Sequence, residues 1–281
     1  MKVTLAQNDY GKSRVRLLRV TRREQQHQVK DLTFWIQFKG DFEAAHIAGD
    51  NRKILPTDTI KNTVYILARQ FPVEPVENFS MRLIEHFLTA NPQVSKVHVL
   101  ALEKYWNRIP IGGGAHRFAF GSAGNEKRTS EVDGTRHEFR IHSGIENLMV
   151  LKTAQSTFAG FLRDPYTTLG DTRDRILSTN LRAHWLYDDS HISFSQTWHG
   201  VRQVLLETFA DHDSRSLQHT LYAMGEAILK NFESIREIRL SLPNRHYNLV
   251  DLSPFGLTNE NEIFLPIAEP HGLIEATLKK S

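Results

Sequence analysis

The sequence predicts an α+β fold made of two consecutive units, and three observations carry that expectation. Apolar residues alternate at period two in some stretches and recur at helical spacing in others. The helical stretches come in pairs between strand-like ones, and this whole order occurs twice in 281 residues. Val15, Leu17 and Val20 in residues 13–22, and Leu32, Phe34, Ile36 and Phe38 in 28–39, mark two strands that suit a hairpin. Residues 57–71 carry Ile60, Val64, Ile66 and Leu67 on a helical face, and 76–90 carry Met81, Ile84, Phe87 and Leu88; 95–102 then returns to a strand. The second half repeats the order: strand-like 148–162, helical 195–210 and 217–231, then a strand over 235–242. Matching elements lie about 140 residues apart, which argues for duplication of one supersecondary unit, with units over 1–140 and 141–281. Residues 109–128 lack periodicity and hold Gly112-Gly113-Gly114, which fits neither common phosphate-loop pattern and reads as a hairpin tip. Paired helices between antiparallel strands predict sheets covered on one face by helices. Such a unit alone leaves sheet edges unpaired, and closing the sheets of several chains into a barrel removes them.

Composition bounds the chemistry. With 40% hydrophobic residues the chain can bury a sizeable core. No apolar run approaches the roughly 20 residues that span a bilayer, and the first nine residues lack the apolar core of a secretory signal, so a cytoplasmic protein without a membrane partner is expected. The absence of cysteine excludes disulfides, iron–sulfur clusters and thiolate catalysis. The 35 basic and 32 acidic residues are interspersed, with a net charge of +3. A sequence pI near 9.0 therefore points only weakly to nucleic acid, and a small anionic ligand accounts for it equally well.

Four segments share one resemblance: Tyr10-Gly11-Lys12; Pro56-Thr57-Asp58-Thr59-Ile60-Lys61-Asn62-Thr63; Ser156 through Leu169, running on through Asp171-Thr172-Arg173-Asp174-Arg175; and Leu242-Pro243-Asn244-Arg245-His246-Tyr247. In this order they resemble the signatures of urate oxidases, over nearly the whole chain. The resemblance implies tandem tunnelling-fold units, with antiparallel sheets and paired helices on one face. It implies a homotetramer closing a multi-chain barrel with active sites at subunit interfaces. It also implies oxidation of urate by dioxygen and water to 5-hydroxyisourate and hydrogen peroxide in purine catabolism, without cofactor or metal.

The individual residues have plainer readings beside those roles. Thr57 and Asp58 precede a helical pattern and suit N-capping; the same helix start, with its exposed amides and positive dipole end, suits an anionic heterocycle. The resemblance makes both substrate contacts. Lys12 alone is a solvated charge, but the family places a lysine there against the catalytic threonine, and a lysine held near another cation or in a dry pocket can act as a base. His246 is one of 14 histidines; no H-E-x-x-H pattern or cysteine accompanies it, and the resemblance makes it the third member of a Lys12–Thr57–His246 proton relay. Phe158 lies in an alternating apolar stretch that suits a core, and Arg175 suits a surface charge. Together they suit a flat anionic ring, stacked on the aromatic face and gripped at its edge by the guanidinium fork. The resemblance adds Gln218 at that edge, the Leu217 backbone N–H beside it, and Asn244 facing dioxygen or water.

Two departures stand out. The chain ends Leu278-Lys279-Lys280-Ser281, without a peroxisomal Ser-Lys-Leu, which points to a bacterial-type cytoplasmic enzyme. Leu217 stands where a smaller aliphatic residue is common. The competing expectations are a zinc-using pterin or purine enzyme of the same fold, a non-catalytic urate or purine sensor, and, more distantly, a nucleic-acid binder.

Overall fold

A computed structural model describes the backbone of residues 1–281 and the side chains of all of them except Ala268. Contacts divide the chain into two compact units, Met1–Gly144 with Leu186–Trp198, and Ile145–Trp185 with His199–Ser281.

In the first unit, β1 (Tyr10–Thr21), β2 (Gln28–Gly40), β3 (Val94–Ile111) and β4 (Gly114–Gly134) pair antiparallel in chain order. The expected hairpin is β1–β2, with Tyr10 opposite Phe38 and Thr21 opposite Gln28. A short helix α1 (Glu43–Ala48), not foreseen from the sequence, precedes α2 (Thr57–Gln70) and α3 (Val76–Ala90). These two helices sit where apolar spacing placed them. Ile60, Val64, Leu67 and Ala68 of α2 are buried, as are Phe79, Leu83, Ile84, Phe87 and Leu88 of α3. Ile66 is an exception: it points outward at 56% exposure, because it falls off the stripe that Ile60, Val64 and Leu67 define. The helices pack on β1, β3 and β4, against a strand face where Phe34, Ile36, Phe38, Val97, Val99 and Ala101 recur at period two. Each of these side chains larger than alanine contributes about 1.5–3 kcal/mol on burial. Residues 109–128 are strand on both sides of a tight turn at Gly112 and Gly113, both at positive φ, so the hairpin-tip expectation holds at the glycines while the flanks pair.

One buried ion pair locks α3 to β4. Glu77 and Arg128 are both essentially inaccessible, 2.7 Å apart, and Ser143 donates its hydroxyl to the same carboxylate. Removing one partner of such a pair costs about 3–5 kcal/mol, since the other charge is left buried alone.

The second unit contains most of β5 (Phe139–Lys152) and β6 (Leu177–Tyr187), then α5 (Leu217–Asn231), β7 (Ile235–Leu249) and β8 (Phe264–Lys279); α4 (Phe194–Asp211) contributes its residues from His199 onward. Helix α5 packs on β7 and β8, which pair antiparallel from Glu237–Lys279 to Leu249–Phe264. The strand expected over 148–162 ends at Lys152. Gln155 and Gly160 take positive φ, and the chain continues in irregular backbone to β6. No described helix is long and apolar enough to cross a membrane.

Candidate active site

The first group of residues is built around Tyr10-Gly11-Lys12. Gly11 pairs so closely with β2 that a Cβ there would stand 1.8 Å from the Ile36 carbonyl oxygen, so only glycine fits. Tyr10 packs edge-on against Phe38 and Phe42, with centroids 5.7 and 4.7 Å away. Its hydroxyl accepts the Leu55 N–H at 2.9 Å, which ties β1 to the chain just before α2. Directly after Lys12 the register slips by one residue, with Arg14 at φ 58°, so a β-bulge interrupts the pairing beside the lysine before it resumes at Val15.

Thr57 and Asp58 are the first two residues of α2, and Pro56 occupies the N-cap position without a side-chain bond. The capping role read from the sequence is therefore not theirs. The first amide to reach a helical carbonyl is that of Ile60, bonded to Pro56 at 3.2 Å, so the N–H groups of Thr57, Asp58 and Thr59 precede the ladder and form an anion-favouring helix start. Asp58 is exposed, bonds Lys61, and accepts from Asn62 at 2.9 Å. Lys61 chiefly, with a smaller contribution from the Lys12 charge, holds its carboxyl below the usual range. Lys12 and the start of α2 thus share one electrostatic neighbourhood.

The second group is assembled in irregular backbone. Phe158 exchanges both backbone hydrogen bonds with Thr172, at 2.7 and 2.9 Å. Ser156 bridges to Ser214, where the Thr157 N–H reaches the Ser214 carbonyl at 2.7 Å and the Ser214 N–H reaches Gln155 at 3.0 Å. Ser216 then caps α5, accepting from the His219 N–H at 3.1 Å. The Ser156–Ser214 bridge therefore brings the Phe158 segment to the start of α5, whose first residues are Leu217 and Gln218. Leu217 is 2% exposed, so its side chain anchors the helix while its amide lies in the first turn, ahead of the helical ladder; Gln218 is exposed.

Arg175 is tied to the same bridge by its N–H on the Ser156 carbonyl at 3.1 Å and its Nε on Ser156 Oγ at 3.3 Å. Its guanidinium carbon lies 5.2 Å from the centre of the Phe158 ring, and Phe161 stacks on Phe158 at 4.9 Å. Arg175 is half-buried with no carboxylate partner among the described residues, and desolvation lowers its pKa. Serine 156, itself fully buried, and its bridge partner Ser214 escaped the sequence reading; single serines carry no periodic signal, although Ser156 opens the signature stretch.

Asn244 and His246 lie on β7, opposite Gly272 and Ile267, with a register shift between them. Asn244 is half-buried and His246 exposed. The expected residues thus divide between units: Lys12, Thr57 and Asp58 belong to the first, and Phe158, Arg175, Leu217, Gln218, Asn244 and His246 to the second.

The family model for uricases matches residues 8–133 and 141–275, nearly the full chain and every residue of both groups. The chain belongs to the uricase family. It is 45% identical over 279 residues to a uricase of Arthrobacter globiformis, an alignment covering 99% of this chain and 91% of that protein. A uricase of Oryctolagus cuniculus is 38% identical over 285 residues, covering 99% and 95%. The crystal structure of the Arthrobacter globiformis uricase superposes with a TM-score of 0.94, over 100% of this chain and 96% of that one. A uricase structure from Bacillus fastidious, at 23% identity, superposes with a TM-score of 0.84 and bears on the fold alone.

Proposed function

We propose that the chain oxidises urate with dioxygen in purine degradation, using no cofactor, and that the two residue groups divide binding from proton transfer. The observation that carries this reading is Arg175: a half-buried cation without a carboxylate partner among the described residues, set over an aromatic face. Burying a charge costs free energy unless a counter-charge arrives, and a flat anion offering carbonyl and ring-nitrogen acceptors at its edge supplies one. Membership of the uricase family supports urate as that anion.

In this reading Phe158 stacks on the purine, Arg175 and Gln218 grip its edge, and the Leu217 N–H and the start of α2, with Thr57 and Asp58, complete the contacts. Lys12, Thr57 and His246 remove a proton from urate and later activate water, while Asn244 faces dioxygen. Two electrons pass from the purine to dioxygen, which leaves with two protons as hydrogen peroxide; water adds its oxygen to the ring, giving 5-hydroxyisourate. The ring supplies the electrons, so the protein contributes positioning and proton transfer.

We further read the two units as tandem tunnelling folds in a homotetramer whose sites lie between subunits. The loop following Phe158 supports this, because it exposes Leu162 at 94% and Tyr166 at 89%, apolar area that a second copy would cover. The test is direct: purified protein should consume urate, followed by its ultraviolet absorbance, while peroxide accumulates. A protein that binds urate without turnover would be the sensor instead.

A further inference from the structure

Two histidines outside both groups stand close enough to share an ion. His212 follows the last residue of α4, and His219 lies in the first turn of α5. His212 Nε2 and His219 Nδ1 are 3.1 Å apart, with ring centroids 4.3 Å apart and planes at 61°. Both backbones are pinned. The His212 N–H donates to the Thr208 carbonyl at 3.1 Å, its carbonyl accepts from the Lys152 ammonium, and the His219 N–H is held by the Ser216 cap. The two imidazoles are therefore preorganised rather than gathered from mobile chain.

With metal–nitrogen bonds of about 2.05 Å, two nitrogens on one ion stand about 2.9 Å apart at a right angle and about 3.35 Å apart at the tetrahedral angle. The observed separation falls between these. Desolvation, with the neighbouring His219 and Lys152 charges, holds the His212 pKa below its ordinary value, while Asp213 acts in the opposite sense. The other histidine cluster, His98 with Glu131 and Asp133, differs in already holding a cation: the Lys96 ammonium lies 2.9 Å from Asp133.

We propose that His212 and His219 form a binding site for a divalent transition-metal ion, clipping the end of α4 to the start of α5, with water filling the remaining positions. Nitrogen ligands and the general affinity order put Cu²⁺ ahead of Zn²⁺ and Ni²⁺. The ion has no part in urate oxidation, and the site stands whether or not Gln218, the residue before His219, touches urate.

The experiment is a titration of the chelator-washed, full-length protein with CuCl₂, read by calorimetry and electron paramagnetic resonance, beside His212→Gln, His219→Gln and the double variant. The wild type should bind one Cu²⁺ per chain with two-nitrogen coupling that the double variant lacks. Each single variant forfeits the chelate gain and should bind at this site about 100-fold more weakly or worse. Cu²⁺ should raise the melting temperature of the wild type alone. Should His212→Gln itself disturb the fold, the more exposed His219→Gln carries the comparison. Equal stoichiometry, affinity and spectra in wild type and double variant would place the ion on other histidines and leave this pair a simple hydrogen bond.

Discussion

Replacing Arg175 with glutamine should separate two quantities that usually move together. In the free protein the guanidinium makes one long side-chain hydrogen bond, 3.3 Å to Ser156 Oγ, and no ion pair among the described residues. Losing that bond costs about 0.5–1.5 kcal/mol. Losing a half-buried cation that lacks a counter-charge returns a similar amount, so the melting temperature should move by no more than about 2 °C. Binding is a different matter. A hydrogen bond to a charged group contributes about 1.5–3 kcal/mol, so a two-point grip on the urate edge amounts to about 3 kcal/mol, on the order of 100-fold in the dissociation constant. Calorimetric titration with a urate analogue that cannot be oxidised measures the affinity, and scanning calorimetry measures the stability. A variant that melts many degrees lower yet binds the analogue normally would make Arg175 a structural residue with no part in binding.

Three further outcomes are expected. Lys12→Met should lower the turnover number by about 100-fold to 10,000-fold, as loss of a proton-transfer group does, and normal steady-state turnover would return Lys12 to the role of a surface charge. Co-expressed Thr57→Ala and Arg175→Ala chains should recover activity that neither parent shows, because some mixed interfaces pair an intact relay with an intact grip; a tagged, purified mixture no better than its parents would put each site within one chain. His98 is held above its ordinary pKa by its bond to Asp133, so its stabilisation is fully present below about pH 6.5 and is lost as pH rises through the raised value. Urea unfolding should show a larger stability gap between wild type and His98→Gln at about pH 6 than at about pH 9, and a constant gap would mean the pair does not couple.

The helices were legible because α2, α3 and α5 repeat their buried residues every three to four positions, a signal that one face on a core must produce. Strand β6 was not: it buries Ser178 and Thr179 beside Leu177, so polarity no longer reports which side faces inward. Strand β8 contains Pro266, Pro270 and Gly272, residues that read as turns. The alternation around Phe158 suggested a strand, whereas the positive φ at Gln155 and Gly160 breaks pairing and leaves isolated bridges that deliver Phe158 to Arg175. The residue types of the candidate site were visible in the quoted segments. What the sequence hid was their support: the Tyr10 hydroxyl on Leu55, the bulge after Lys12, and the Ser156–Ser214 bridge, each a long-range contact with no local pattern.

If urate supplies the electrons and the chain only position and proton transfer, turnover needs no metal or cofactor. Protein treated exhaustively with chelator, with no metal or cofactor returned, should be assayed for urate, dioxygen and peroxide in the same vessel. The rate should be unchanged, with equal molar amounts of urate and dioxygen consumed and peroxide formed. Activity that disappears on chelation and returns with an added metal ion, or dioxygen consumed without matching peroxide, would contradict it.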